Sequence, residues 1–103
     1  MIGLGTWGCR VDTMFFKGPA EIKVFEENGQ YAFDLNVPGV DIPDITIISV
    51  EEDGDTLNAV VQTSLLPNKD IDLCVTFEDD IVTGFLKIPF IGKVKLKDGH
   101  RIA

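Results

Sequence analysis

The sequence predicts an all-β fold: one domain over residues 1–103, built as an eight-stranded antiparallel up-and-down β-barrel. Three observations carry this expectation. Apolar and polar residues alternate with period two in short runs, as in strands with one buried face. Eight such runs recur about a dozen residues apart, a spacing that favours a barrel or a sandwich. Between the runs stand turn-forming pairs, and no stretch shows helical periodicity.

In the first run Trp7, Cys9, Val11 and Phe15 share one parity, with Arg10 and Asp12 on the other. Ile22 and Val24 mark the second run, and Tyr31, Phe33, Leu35 and Val37 the third. The fourth opens with Ile45 and Ile47, but Ile48 and Val50 compete for the inner face. Such a conflict predicts either a β-bulge or a strand apolar on both faces. Leu57, Ala59 and Val61 form the fifth run, Leu73, Val75 and Phe77 the sixth, and Val82, Leu86 and Ile88 the seventh. Val94 and Leu96 close the series.

The connections fall into two kinds. Asn28-Gly29, Asp53-Gly54 and Asp79-Asp80 each join two runs directly. The first two are type I′ hairpin signals, because that turn needs residues that tolerate positive φ. Residues 16–19, 38–44, 64–70 and 90–92 make longer connections, richer in apolar residues and proline. In a simple meander alternate connections share an end. One end then gathers Glu26, Glu27, Glu51, Glu52, Asp53, Asp55, Glu78, Asp79, Asp80 and Asp98. The other gathers Phe15, Phe16, Val40, Ile42, Leu65, Leu66, Phe90 and Ile91, with Lys17, Lys69 and Lys93 nearby.

Composition narrows the function classes. Nine Lys and Arg against 17 Asp and Glu leave a net charge of −8, the wrong sign for nucleic acid or an anionic membrane surface. Apolar runs reach four residues at most, against the roughly 20 a spanning helix needs. The N-terminus shows no basic segment followed by an apolar core, so a cytoplasmic location is expected. Cys9 and Cys74 have neither disulfide-framework nor metal-site spacing, and read as buried thiols.

Catalytic chemistry has little to build on. His100 is the single histidine, near a chain end, and no spacing ties it to a nucleophile. Gly3, Gly5 and Gly8 are followed by no Lys-Ser/Thr step and no helix, so they form no phosphate loop. The acidic stretch 51–55 lacks the ligand spacing of a calcium loop and reads as a solvated hairpin tip. Lys93, Lys95 and Lys97 alternate with Val94 and Leu96, which describes one solvated strand face. The expectation is a non-enzymatic protein without metal or cofactor.

The apolar end is the distinctive feature. Phe15 and Phe16 cannot both point inward on a regular strand, and Leu65-Leu66 and residues 88–91 repeat the pattern at the same end. These side chains either plug a small core or frame a portal for an apolar ligand. As a portal, the barrel walls that would touch a small hydrophobic molecule are Val11, Phe15, Phe33, Leu35, Val61, Leu73, Val75 and Leu86. As a contact surface for a partner or a second copy, the exposed anchors would be Phe16, Leu65 and Phe90.

Gly5-Thr6-Trp7 at the start of the first strand and Arg101 at the end of the last resemble the Gly-x-Trp signature of the calycin barrels: lipocalins, intracellular fatty-acid-binding proteins and avidins. Small bacterial proteins that open on such a strand are similar as well. The resemblance implies an eight-stranded barrel whose closed end is plugged by Trp7 under Arg101, with a small ligand entering at the other end. The Arg-x-Tyr pair that grips a fatty-acid carboxylate in one branch has no counterpart, since Arg101 is followed by Ile102-Ala103. A second stretch, residues 31–40 followed by Asp44-Ile45-Thr46-Ile47, is similar to the α-crystallin domain of small heat-shock proteins. That resemblance implies a β-sandwich and a chaperone-like, self-assembling protein.

Overall fold

The computed structural model describes residues 2–13, 17–37, 45–64 and 66–103. Nine strands follow one another: β1 (Gly5–Asp12), β2 (Lys17–Glu27), β3 (Gln30–Asn36), β4 (Thr46–Asp53), β5 (Thr56–Gln62), β6 (Ile71–Glu78), β7 (Ile81–Ile88), β8 (Gly92–Lys95) and β9 (Lys97–Arg101). They form one antiparallel sheet in the order β3-β2-β1-β9-β7-β6-β5-β4, with β8 also on β7. The sheet curls into a nearly closed barrel of eight staves, because β8 and β9 together make the last one. This single meandering sheet replaces the sandwich that the α-crystallin resemblance implied.

The last stave is broken where the sequence suggested a plain strand. Leu96 is buried and its N–H still donates to Gly84 O at 3.0 Å. Beyond it, β9 spends three steps, from Lys97 to His100, where β1 spends two, from Arg10 to Gly8. The extra residue is a β-bulge, with Asp98 at a φ of 53°; bulges at such positions tighten the twist a small barrel needs.

Two of the three hairpin turns fall where expected, on Asn28-Gly29 and Asp79-Asp80, but the second is shifted by one residue. Asp53 pairs with Thr56, so its tip is Gly54-Asp55 rather than Asp53-Gly54. Asn28 and Gly29 both have positive φ, 55° and 80°, as type I′ requires. In the second turn only Gly54 is positive, at 59°, the φ pattern of type II′.

The ambiguity in the fourth run is a bulge. Ile47 faces Val61 and Ser49 faces Val60, leaving Ile48 without a partner and 54% exposed. The extra residue switches the parity, so Ile47 and Val50 both pack on the core.

β3 and β4 are the sheet's two edges, and no ladder joins them among the described residues. At the tight-turn end a side chain bridges the seam instead. The Tyr31 hydroxyl donates to Glu52 Oε1 and accepts the Ile2 N–H at 2.7 Å. Burial, and then the bond to Glu52, raise the Tyr31 phenol above its ordinary pKa, against a smaller lowering by the Ile2 N–H. Folding therefore favours the protonated phenol. The bridge contributes fully below the pKa of an unfolded tyrosine, about 10, and is lost as pH climbs through the higher folded value. Tyr31 is the chain's single tyrosine, so phenolate absorbance reports it alone. Its titration should have an inflection above that of the unfolded chain, and Glu52→Gln should move the inflection down; coincident folded and unfolded curves would mean the seam is not bridged.

Candidate functional site

The barrel interior divides into two layers. The lower layer is built on Trp7, which faces Ile22 of β2 and Arg101 of β9 in the ladder. Directly opposed residues of an antiparallel pair share a face. The Arg101 guanidinium accordingly lies 4.4 Å from the Trp7 ring centroid. Arg101 Nη1 donates to Leu4 O at 2.9 Å, and its Nε pairs with Asp80 at 3.3 Å. The indole N–H donates to Gly3 O at 2.8 Å, and Phe77 packs against the ring at 4.8 Å between centroids. Trp7, Leu57, Val24, Val75 and Val82 are all buried. The space left among them is about 10 Å³, no more than about one water's worth. The closed half is filled.

The upper layer is not. A cavity of about 340 Å³ opens at the apolar end, within the usual range of about 300–1,000 Å³ for small-molecule sites. Ile22, Phe33 and Leu73 line both this space and the filled layer, and so form its floor. Leu35, Ile45, Val61, Leu86 and Ile88 make the walls from four different segments, the last two from β7. Thr63, Leu66, Ile71 and Ile91 complete the described lining, with Ile91 at the rim, 38% exposed.

Five of the expected ligand-wall residues meet here: Phe33, Leu35, Val61, Leu73 and Leu86. Two do not. Val75, two residues nearer the tight turns than Leu73, belongs to the filled layer, and Val11 packs against the core without lining the cavity. Phe15 lies outside the described residues. So do Phe16 and Leu65 of the expected contact surface; its third member, Phe90, is 85% exposed at a φ of 72°.

The remaining lining was partly legible. Ile22, Ile45 and Ile88 already had inward parity. Thr63 and Ile71 extend the parities of Val61 and Leu73 by one step. Leu66 is brought in by its connection: its N–H donates to Thr63 O at 3.0 Å and its carbonyl accepts from Lys69 at 3.2 Å. Gln62 clamps the same connection through Asp70 Oδ1 at 2.7 Å.

Other chemistry stands apart from the cavity. His100 Nδ1 lies 2.7 Å from Asp98 O, near the closed end. Cys9 is buried beside the filled layer, and that burial pushes its thiol pKa up, away from the reactive thiolate. Among the described residues no group of three or more His, Cys, Asp or Glu could hold a metal ion, and no helix is long and apolar enough to cross a membrane. Of the apolar-end lysines, Lys69 lies over Phe90 at 5.6 Å and Lys93 over Phe85 at 4.2 Å, while Lys17 pairs with Asp12 at 3.7 Å.

No protein-family profile, curated protein or solved structure matches the chain.

Proposed function

We propose that this chain is a non-enzymatic carrier of lipocalin-like type that holds a small hydrophobic molecule in the upper layer of the barrel. The observation that carries this reading is the contrast between the two layers: one end is packed to within about 10 Å³ and the other keeps about 340 Å³. Protein cores close voids because unfilled volume is destabilising, by about 24 cal/mol per Å³ in measured cases. An apolar space of this size is stabilised by an occupant. The calycin resemblance adds support, since it places a ligand at the end away from Trp7 and Arg101.

Size bounds the occupant. An engineered cavity of about 150 Å³ takes up benzene, so 340 Å³ suits roughly 14 non-hydrogen atoms. At roughly 0.5 kcal/mol per atom, between the limits known for small and large ligands, the dissociation constant should fall at about 10 µM.

N-phenyl-1-naphthylamine, a neutral dye that brightens in apolar surroundings, tests the reading. The protein should bind it at a single site in that range. Leu86→Trp, which fills the cavity from β7, should weaken binding at least about tenfold. Ile81→Trp is the control: it lies on the same strand, 52% exposed, and should leave binding unchanged. A folded protein that ignores the dye, or a Leu86→Trp variant that binds it as well as the parent, would overturn the assignment.

A further inference from the structure

We infer that the barrel selects an uncharged molecule and rejects the carboxylate of a fatty acid; the inference rests on the carrier reading above. Eleven of the twelve described lining side chains are apolar and the twelfth is Thr63. An anion drawn into such a space needs a cation, because a charge buried without a partner costs several kcal/mol. No cation is among the described lining residues. All nine Lys and Arg and the single His lie among the described residues, and every one of them is exposed. The residues outside the described set include no Lys, Arg or His. Arg101 is committed to Trp7, Leu4 O and Asp80 at the closed end.

At the apolar end Lys69 and Lys93 already lie over the Phe90 and Phe85 rings. The groove that shares Ile88 and Ile91 with the cavity carries Asp70 and Asp72 against one lysine, Lys87. Asp72 and Lys87 face each other in the ladder.

Displacement of N-phenyl-1-naphthylamine by decan-1-ol and by decanoate tests this, because the two differ only in the head group. Decanol should displace the dye with a constant unchanged between about pH 6 and 8. Decanoate should be more than ~100-fold weaker than decanol at about pH 8, since only the neutral acid, with a pKa of about 4–5, enters. Its apparent affinity should recover about tenfold for each unit of falling pH. Decanoate that matches decanol within about threefold at every pH would overturn the inference and place the carboxylate at the rim while leaving the carrier reading intact. Dye that binds but yields to neither compound would overturn it too. Failure of both dye and decanol to bind would instead remove the carrier reading itself.

Discussion

Trp7→Ala should destabilise the protein by about 3–5 kcal/mol, the usual range for removing a buried tryptophan. Three losses combine. The indole fills the closed end at 2% exposure, and the filled layer around it has no spare volume with which to close the gap. Its N–H bond to Gly3 O ties the N-terminal segment to the barrel. The stack under Arg101 adds roughly 0.5–2 kcal/mol where a cation–π pair is partly desolvated. A domain of this length has only about 5–15 kcal/mol to lose. One kcal/mol moves Tm by roughly 4–8 °C in a domain near 100 residues, so thermal melting followed by circular dichroism should show a fall of at least about 12 °C. Ile48→Ala, on the exposed bulge residue, should change Tm by no more than a few degrees, because surface substitutions usually stay within about 0.5 kcal/mol. A Trp7→Ala protein that melts with its parent would mean that the closed end is not built on this residue.

Gly84→Ala should be comparably severe for a different reason. A Cβ at Gly84 would stand 2.0 Å from Cys74 O and 2.7 Å from Val75 Cα, and the residue has a φ of 146°. Both contacts are backbone atoms of β6, so no side chain can swing aside. Gly84 also accepts the Leu96 N–H, at the point where β7 turns from β8 towards β9. Glycine at such a corner lets a barrel strand bend and neighbouring backbones approach. Backbone strain of about 1–3 kcal/mol and forced displacement of about 1–3 kcal/mol should together remove about 2–6 kcal/mol. Gly29→Ala separates the two terms. It too has positive φ, 80°, but nothing lies within 4 Å of its would-be Cβ, so only strain of about 1 kcal/mol is expected there. Equal losses at the two positions would show that the close approach to β6 is not real.

Much of this architecture can be read along the chain. The run Trp7, Cys9, the pair Ile22 and Val24, and the triplets Leu57-Ala59-Val61 and Leu73-Val75-Phe77 all point inward as their alternation indicates, because side-chain direction in a strand is a local property. The turns at Asn28-Gly29 and Asp79-Asp80 are local as well. The pairing of Trp7 with Arg101 required one further step, the meander, which brings the start of the first strand against the end of the last. The fourth run marks where local reasoning stops. Its apolar residues permitted a bulge or a two-sided strand, and only the pairing of Ile47 with Val61 and Ser49 with Val60 selects the bulge and sends Ile48 outward.

Alternation determined the all-β class and the inward faces, and the meander, once added, separated an acidic turn end from an apolar one. Tertiary structure alone decided that no ladder joins β3 and β4 among the described residues and that Tyr31 and Glu52 bridge them, that Val75 joins the filled layer while Leu73 becomes a floor, and that Leu66 folds in as lining. The physical reason is that inner volume is a sum over side chains from many strands at one height. Period two tells each residue which face it occupies, but carries no information about which residues of other strands stand level with it. The bulky Trp7 and Phe77 meet at one height and fill it; above them mainly aliphatic side chains meet, and the space stays open.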